Sequence, residues 1–155
     1  MVNQERSKMQ FKTITKTSRW TQPLLALLKA DWPDAYQWLT DVIDDWSLTC
    51  FPQIIVALEN GAIVGYYSLV EKELVKDTCG YTPWLGTLFV APKYRGRHYS
   101  PQLIEHACQH VKQMGYQSLF LATNLTDYYE KFGFQKVASG VYNWGETTAF
   151  YKRTL

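Results

Sequence analysis

The sequence predicts a mixed α/β (α+β) fold, with a mostly antiparallel, six- to seven-stranded sheet that carries helices on both faces. Three observations predict it: two helical patterns precede most of the strands, two long apolar strands form a hairpin, and strands alternate with helices in the second half. The predicted order is β-α-α-β-β-β-α-β-α-β-β. Residues 1–155 are expected to form one domain, because this length suits a single hydrophobic core.

The N-terminal third predicts a weak strand and two helices. Residues 9–17 alternate apolar and polar side chains, which favours a strand. Apolar residues then recur at helical spacing over 20–28, and the break at 32–34 contains a proline that separates this helix from a second one over 34–46. The outer face of the second helix is acidic and is most simply a solvated surface; it carries Asp41, Asp44 and Asp45.

The middle of the chain predicts a hairpin followed by a buried strand. Asn60-Gly61 is a preferred two-residue turn, and it joins β-rich runs over 53–59 and 62–70. A polar loop is expected over 71–82, and the apolar run 85–90 predicts a buried strand.

The second half predicts one long helix, a short helix and three strands. The long helix is expected over 101–114, with Ser100 as its N-cap and Pro101 at its first position. A strand over 117–122 and a short helix over 126–131 follow. The last two strands are predicted over the ranges 134–138 and 147–153.

Composition and charge exclude several classes of protein. The net charge is only +2 with no basic run, so no nucleic-acid partner is expected. No apolar run approaches the roughly 20 residues of a membrane span, and the polar first ten residues lack a signal core, so no membrane partner and a cytoplasmic location are expected. Three scattered cysteines predict neither a disulfide framework nor a metal site.

The segment between residues 84 and 134 carries the chemistry. A strand runs into a basic, glycine-containing turn over 95–100, which opens the long helix. Free backbone N–H groups at the start of a helix, flanked by arginines, are suited to hold a phosphate. Tyr129 follows the next strand, which places it beside whatever the phosphate carries.

Two runs in this segment resemble a known family. They are Val-Ala-Pro-Lys-Tyr-Arg-Gly at 90–96 and Tyr-Glu-Lys-Phe-Gly-Phe at 129–134. Together with the order of elements, they resemble the GNAT superfamily of acetyl-CoA-dependent N-acetyltransferases over about residues 53–153. The resemblance implies an acyltransferase with acetyl-CoA as co-substrate and no metal. It also implies a ternary complex, in which an amine attacks the thioester directly without an acyl-enzyme.

The resemblance assigns roles to particular residues. Tyr129 holds the position of the catalytic tyrosine that donates a proton to the leaving thiolate. The strand end that would accompany the pantetheine arm is Leu88, Phe89 and Val90, and Asn124 is carried over as a further cofactor contact. The turn that would hold the pyrophosphate, with two arginines to add charge, comprises Arg95, Gly96, Arg97, His98, Tyr99 and Ser100.

This sequence departs from the family at the phosphate turn and at the base. His98 and Ser100 stand where the family has small residues, glycine above all, and Pro101 lacks an N–H group, so cofactor affinity is in question. The glutamate that many relatives carry on the fourth strand is missing from residues 86–88. Candidates for a base by chain position alone are Glu71, Glu73, Asp77 and Glu146.

The acceptor is expected to be a primary amine, with a small molecule favoured over a peptide N-terminus or a lysine. A non-catalytic module that binds acetyl-CoA or CoA is the alternative from a different class. The fourth and fifth strands should splay apart near Phe89 and Leu121, and the acceptor side would hold an ammonium group through rings and carboxylates; those named are Trp84, Tyr142, Trp144, Asp44, Asp45 and Glu146. A homodimer and a monomer both stay open.

Overall fold

The computed structural model describes residues 9–155 and contains a seven-stranded sheet. The strands are β1 (Gln10–Ile14), β2 (Gln53–Glu59), β3 (Ala62–Val70), β4 (Trp84–Val90), β5 (Ser118–Thr123), β6 (Gln135–Val141) and β7 (Thr147–Thr154). The α-helices are α1 (Thr21–Asp31), α2 (Pro33–Asp41) and α3 (Tyr99–Gln113). Short 3₁₀ turns cover Ile43–Asp45, Pro92–Tyr94 and Tyr129–Phe132. No helix in this part of the chain is long and apolar enough to cross a membrane.

The strands lie in the order β1-β2-β3-β4-β5-β7-β6. All neighbours are antiparallel except β4 and β5, which are parallel. The predicted mixed, mostly antiparallel sheet is therefore confirmed. The β2–β3 hairpin turns where predicted, with positive φ at both Asn60 and Gly61.

The helices cover both faces of this sheet. On one face α3 buries Leu103, Ile104, Ala107, Cys108 and Val111 against the sheet. On the other face α1 and α2 bury Leu24, Leu25, Leu28 and Leu39. A third apolar cluster fills the base of the β4–β5 junction, and it contains Val70, Val75, Trp84, Phe120 and Phe150. Cys108 is 1% exposed and packs in the core under α3.

The junction of β4 and β5 is open at one end. Trp84 and Phe120 are the single registered pair between these strands. The two strands therefore diverge toward their carboxyl ends, at Val90 and Thr123, where the splay near Phe89 and Leu121 was predicted. This opening interrupts the middle of the sheet and exposes the edge of β4.

The first helix runs to Asp31, three residues beyond its predicted end, and the second helix and the long helix also differ from the sequence prediction. The second helix ends at Asp41 and continues only as a 3₁₀ turn, because the β-branched pair Val42-Ile43 has a low helix propensity. The long helix begins at Tyr99, so Ser100 lies inside its first turn and is not the N-cap. His98 occupies the N-cap position and makes no side-chain capping bond.

Candidate active site

A groove of about 600 Å³ opens beside the splayed end of β4. Its walls come from the end of β4, the turn before α3, the first turn of α3 and the 3₁₀ turn that carries Tyr129. The residues that line it are Leu88, Phe89, Val90, Tyr94, Arg95, Gly96, His98, Tyr99, Ser100, Pro101, Tyr128, Lys131 and Phe132. The structure thus brings together all the predicted cofactor residues except Arg97 and Asn124.

The turn over 96–100 presents backbone N–H groups that have no partner. None of these amides donates a hydrogen bond to another described residue. The chain reverses here through two positive φ angles, +78° at Gly96 and +61° at His98. His98 therefore adopts the left-handed conformation that glycine adopts readily, and its amide stays free at the start of a 15-residue helix.

Arg95 is held on the wall of the groove by contacts within the protein. Its Nε donates to the carbonyl oxygen of Val90 at 2.8 Å, and its guanidinium forms an ion pair with Asp31 at 2.5 Å. The guanidinium also lies 5.6 Å from the ring centroid of Phe89. These contacts tie α1 to the end of β4, and Asp31 offsets part of the positive charge at this side of the groove.

Other cations surround the turn. Arg97 is exposed beside the turn and does not line the groove. Lys131, which the sequence prediction left out, lines the opposite wall. The signal for it was present, since Lys131 belongs to the same Tyr-Glu-Lys-Phe-Gly-Phe run as Tyr129. Tyr99 directs its hydroxyl away to Glu59, to which it donates at 2.7 Å, so only the backbone of Tyr99 is available to the turn.

Tyr129 lies behind the wall that Tyr128 forms. The ring centroids of these neighbours lie 4.9 Å apart in an edge-to-face arrangement. The ring centroids of Tyr129 and Phe134 lie 5.9 Å apart. Burial raises the pKa of Tyr129 to about 12, with smaller contributions from Tyr128 and Tyr142. The hydroxyl is therefore protonated at neutral pH and makes no hydrogen bond within residues 9–155.

Asn124 lies outside this groove. It follows β5 and lines a separate depression of about 620 Å³ on the β5–β7–β6 half of the sheet. Its Nδ2 donates to Glu146 Oε2 at 2.9 Å. The structure therefore places Asn124 with the β6–β7 hairpin tip, residues 142–146, and not with the phosphate turn.

Some residues predicted for the acceptor side lie elsewhere. Trp84 is fully buried, because its indole packs at the base of the β4–β5 junction against Phe120 and Phe150. Asp44 pairs with Lys16 at 2.7 Å on the outside of the molecule. The expectation that Trp84 and the acidic second helix contribute to an ammonium site is therefore wrong for Trp84 and unsupported for Asp44 and Asp45.

The β6–β7 hairpin tip retains the rings and a carboxylate. Tyr142 and Trp144 stack in parallel with their centroids 4.5 Å apart, and Trp144 is 63% exposed. Glu146 accepts from Trp144 Nε1 at 3.1 Å and from Asn124. An exposed aromatic stack with an adjacent carboxylate is suited to an organic cation.

Hydroxyl groups cluster on β4 around residues 86–88, where the expected glutamate is missing. Thr87 Oγ1 lies 2.7 Å from the Tyr66 hydroxyl and 2.6 Å from Ser68 Oγ. A larger residue at Gly86 would displace Ser68, since a Cβ there would lie 2.9 Å from Ser68 Oγ. This part of β4 therefore offers hydrogen-bonding groups but no base.

Glu73 is the candidate base that differs from the others. Burial raises the pKa of its carboxyl group to about 7, although the backbone amide of Leu74 donates to it at 2.9 Å and opposes the rise. The residue keeps partial contact with solvent, and its hydrogen bond with the Leu74 amide is exposed. Sequence position alone did not distinguish Glu73 from Glu71, which is exposed on the same loop.

Comparisons with known proteins agree with this architecture. The model of the acetyltransferase (GNAT) family matches residues 15–134. No curated protein matches the chain by sequence. Among solved structures, the chain is similar to aminoglycoside 6'-acetyltransferase type Ii, with a TM-score of 0.70 and 17% identity over 94% of this chain and 96% of that one.

Two further solved structures contain the co-substrate or its product. YhbS from Escherichia coli in complex with CoA has a TM-score of 0.74 and 16% identity, covering 99% of this chain and 85% of that chain. A GNAT family acetyltransferase from Elizabethkingia anophelis with acetyl-CoA bound has a TM-score of 0.66 and 17% identity, covering 95% and 98%. These likenesses show the shared fold, and the family model covers most of the sequence. The chain therefore belongs to the acetyltransferase (GNAT) family.

Proposed function

We propose that this protein transfers an acetyl group from acetyl-CoA to a primary amine of a small molecule, by direct attack within a ternary complex. The groove beside β4 is the observation that carries the proposal. It combines an open strand edge at Leu88–Val90 with a helix N-terminus whose turn amides have no partner among residues 9–155. An extended ligand with a phosphate at one end fits both features.

The residues at the groove fit the co-substrate, apart from Arg95, whose guanidinium already pairs with Asp31. The amides of 96–100 would hold the pyrophosphate, with charge from Arg97 and Lys131, while Arg95 is already engaged by Asp31. Acetyl-CoA supplies an activated thioester whose sulfur leaves as a thiolate. Tyr129 stays protonated because of its raised pKa, and it would donate that proton to the sulfur.

A small-molecule acceptor is supported by the hairpin tip. The Tyr142–Trp144 stack and Glu146 form a compact site that suits a cation. Tyr142 also contributes to the raised pKa of Tyr129, which supports an acceptor site on the same side of the molecule. One of the similar structures is, by its name, an aminoglycoside 6'-acetyltransferase, which supports a small-molecule acceptor here.

Calorimetric titration with CoA tests the cofactor half of the proposal. Arg97→Glu should weaken CoA binding, because it reverses the charge beside the free amides. Lys112→Glu makes the same change at the opposite end of α3 and should leave the affinity unchanged. Equal affinity in the wild type and Arg97→Glu would place the phosphate elsewhere.

Release of the CoA thiol across a panel of amines tests the transfer half. The panel should include polyamines, an aminoglycoside, aromatic amines and short peptides, each with saturating acetyl-CoA. Turnover with small amines supports the proposal, and preferential turnover of peptides would select the peptide alternative. Tight CoA binding with no thiol release for any amine would make the protein a binding module.

A further inference from the structure

We infer that Arg153 is a positioning residue, which sets the width of the cofactor groove and holds the turn that carries Tyr129 against α3. This inference rests on the proposed acetyl transfer to an amine. Arg153 belongs to β7 and does not line the groove itself. Its guanidinium acts through two other elements, because it joins α3 on one wall of the groove to the 3₁₀ turn on the opposite wall.

The guanidinium of Arg153 contacts both elements at once. Its Nη1 and Nη2 donate to the two carboxylate oxygens of Glu105 on α3, at 2.6 and 3.2 Å. Nη1 also donates to the carbonyl oxygen of Phe132, at 3.0 Å. A planar guanidinium that donates to a carboxylate through two nitrogens is held in one orientation. The position of Phe132 relative to α3 is therefore fixed through a single side chain.

The two contacts lie next to the groove. Pro101 lines the groove, and Glu105 follows it by four residues, so both lie on the same face of α3 about one turn apart. Phe132 lines the opposite wall itself, together with Lys131 and Tyr128. The bridge from Glu105 to Phe132 therefore spans the two walls just beyond the groove, and the distance between the walls depends on it.

Few directional contacts hold the turn to the rest of the molecule. The amides of residues 131, 133 and 134 donate to carbonyls within the segment 128–134 itself. Among the described residues, Arg153 provides the only side chain from outside this segment that hydrogen-bonds to it. The other attachment is apolar, and Phe134 at its end is 1% exposed. Apolar contacts do not fix an orientation, so the alignment of the turn depends on Arg153.

The stem of Arg153 is shielded by the same turn. Arg153 lies on the α3 face of the sheet, opposite Leu119 of β5. Gly133 lies over its stem, since a Cβ at Gly133 would be 3.6 Å from Arg153 Cδ. The side chain is 22% exposed, against 60% and 78% for the surface pair Lys16–Asp44. Solvent therefore screens the contacts of Arg153 less than those of a surface ion pair.

Calorimetric titration with CoA tests the role of Arg153 at the groove. Arg153→Met and Glu105→Ala each remove the bridge, but they change the net charge in opposite directions. Both should weaken CoA binding by about 3- to 30-fold, which is the range of coupling between residues of one network. Lys152→Met is the control, because it removes a positive charge from the opposite face of the same strand. It should leave the affinity unchanged.

The Glu105→Ala variant separates the bridge from a plain effect of charge. Loss of a carboxylate near a phosphate groove would by charge alone tighten CoA binding. Weaker binding in this variant supports the bridge, and tighter or unchanged binding would overturn it. Glu105 is exposed and alanine favours a helix, so this variant decides the question even where Arg153→Met does not fold.

A double-mutant cycle tests whether Arg153 acts through Tyr129. The kcat is measured at saturating amine and acetyl-CoA for wild type, Arg153→Met, Tyr129→Phe and the double variant. Arg153→Met should lower kcat by about 10- to 100-fold, because a displaced catalytic group loses its alignment. In the Tyr129→Phe background the same change should lower kcat by less than about threefold, because the hydroxyl to be positioned is absent.

Equal losses of kcat in both backgrounds, or no loss in Arg153→Met, would show that Arg153 does not position Tyr129. A general loss of stability would lower kcat alike in both backgrounds, so it does not produce the expected result. If wild type acetylates no amine, the proposed function fails together with the role of Arg153 in catalysis. The calorimetric comparison of Arg153→Met, Glu105→Ala and Lys152→Met still decides its role at the groove.

Discussion

His98 adopts a backbone conformation that costs most side chains about 1–2 kcal/mol. Its φ of +61° frees the amides of the turn, so the position needs a backbone shape and not an imidazole. His98→Gly should therefore keep or raise stability and keep or tighten CoA binding by calorimetry. Cys79→Gly relieves a similar φ of +57° away from the groove and should leave CoA affinity unchanged.

A contact between the imidazole and phosphate would reverse that outcome. The His98→Gly variant would then bind CoA more weakly than the wild type. A variant that binds CoA equally well or more tightly would exclude the contact. The two results separate a backbone role from a side-chain role at this residue.

Tyr129 and Tyr128 are adjacent, but we expect their substitution by phenylalanine to have different kinetic effects. Tyr129→Phe removes the hydroxyl that a pKa of about 12 keeps protonated, so turnover at saturating acetyl-CoA should fall by about 10²- to 10⁴-fold. CoA affinity should survive, because the ring still packs against Phe134. Tyr128→Phe, on the groove wall, is the control and should leave turnover near wild type. Unchanged turnover in Tyr129→Phe would remove it from the chemistry.

At the scale of elements, α3 is joined to the sheet by two histidines as well as by its apolar face. His106 Nδ1 lies 2.8 Å from the Tyr67 hydroxyl, and its ring stacks on Phe11 at 3.8 Å. His110 Nε2 lies 2.7 Å from Gln53 Oε1. Burial lowers the pKa of His106 to about 4, with a further contribution from His110. These contacts favour the neutral ring and link α3 to β1, β2 and β3.

The packing of α3 predicts that the folded protein loses stability in acid. His106 titrates near 4 when folded and near 6.5 when unfolded, so the unfolded chain binds more protons between these values and stability falls as pH drops through this range. The loss is on the order of 1 kcal/mol, since solvent still reaches the ring. His106→Gln should flatten the fall in Tm between pH 7 and 4.5, whereas His98→Gln should not. An equal slope of Tm against pH in wild type and His106→Gln would contradict this prediction.

The elements that local pattern determines were predicted well, and those that depend on distant contacts were not. The β2–β3 hairpin was predicted to the residue because Asn-Gly specifies its turn. The start of α3 was missed by two residues, because residue type does not reveal that His98 turns left-handed. The short helix predicted over 126–131 is a 3₁₀ turn at Tyr129–Phe132, since Asp127 also has a positive φ and interrupts the chain before it.

The candidate site shows the same difference between residues placed by local pattern and residues placed by distant contacts. Motif spacing placed the groove residues together, because they lie on consecutive elements of one strand-turn-helix unit. The fixing of the loop after β3 could not be read from sequence, because Val75 forms a bridge with Tyr142, which is distant along the chain. Trp84 was predicted on the acceptor wall, but the convergence of Phe120 and Phe150 buries it.

The whole molecule consists of two half-sheets that meet at one narrow point. β1–β4 form one half and β5–β7 the other, and the pair Trp84–Phe120 is the single register between them. The aromatic cluster around Trp84 closes the base of this junction, while the edge of β4 beyond it has no strand partner. A ligand that occupies the opening would therefore bridge two halves that the backbone joins only at its base.

Hydrogen exchange measured with and without CoA tests this arrangement. CoA should slow exchange at the end of β4, residues 88–90, at the turn 96–100 and at the end of β5, residues 121–123. Residues 54–58 of β2 lie in the core of the first half-sheet and should slow only as far as CoA raises the global free energy of unfolding. Because the ligand binds the folded state, it should also raise Tm, with about 2.7 kcal/mol of stabilisation at a hundred times its dissociation constant. Protection confined to α1 and α2, with the β4–β5 opening unchanged, would place the cofactor outside the groove.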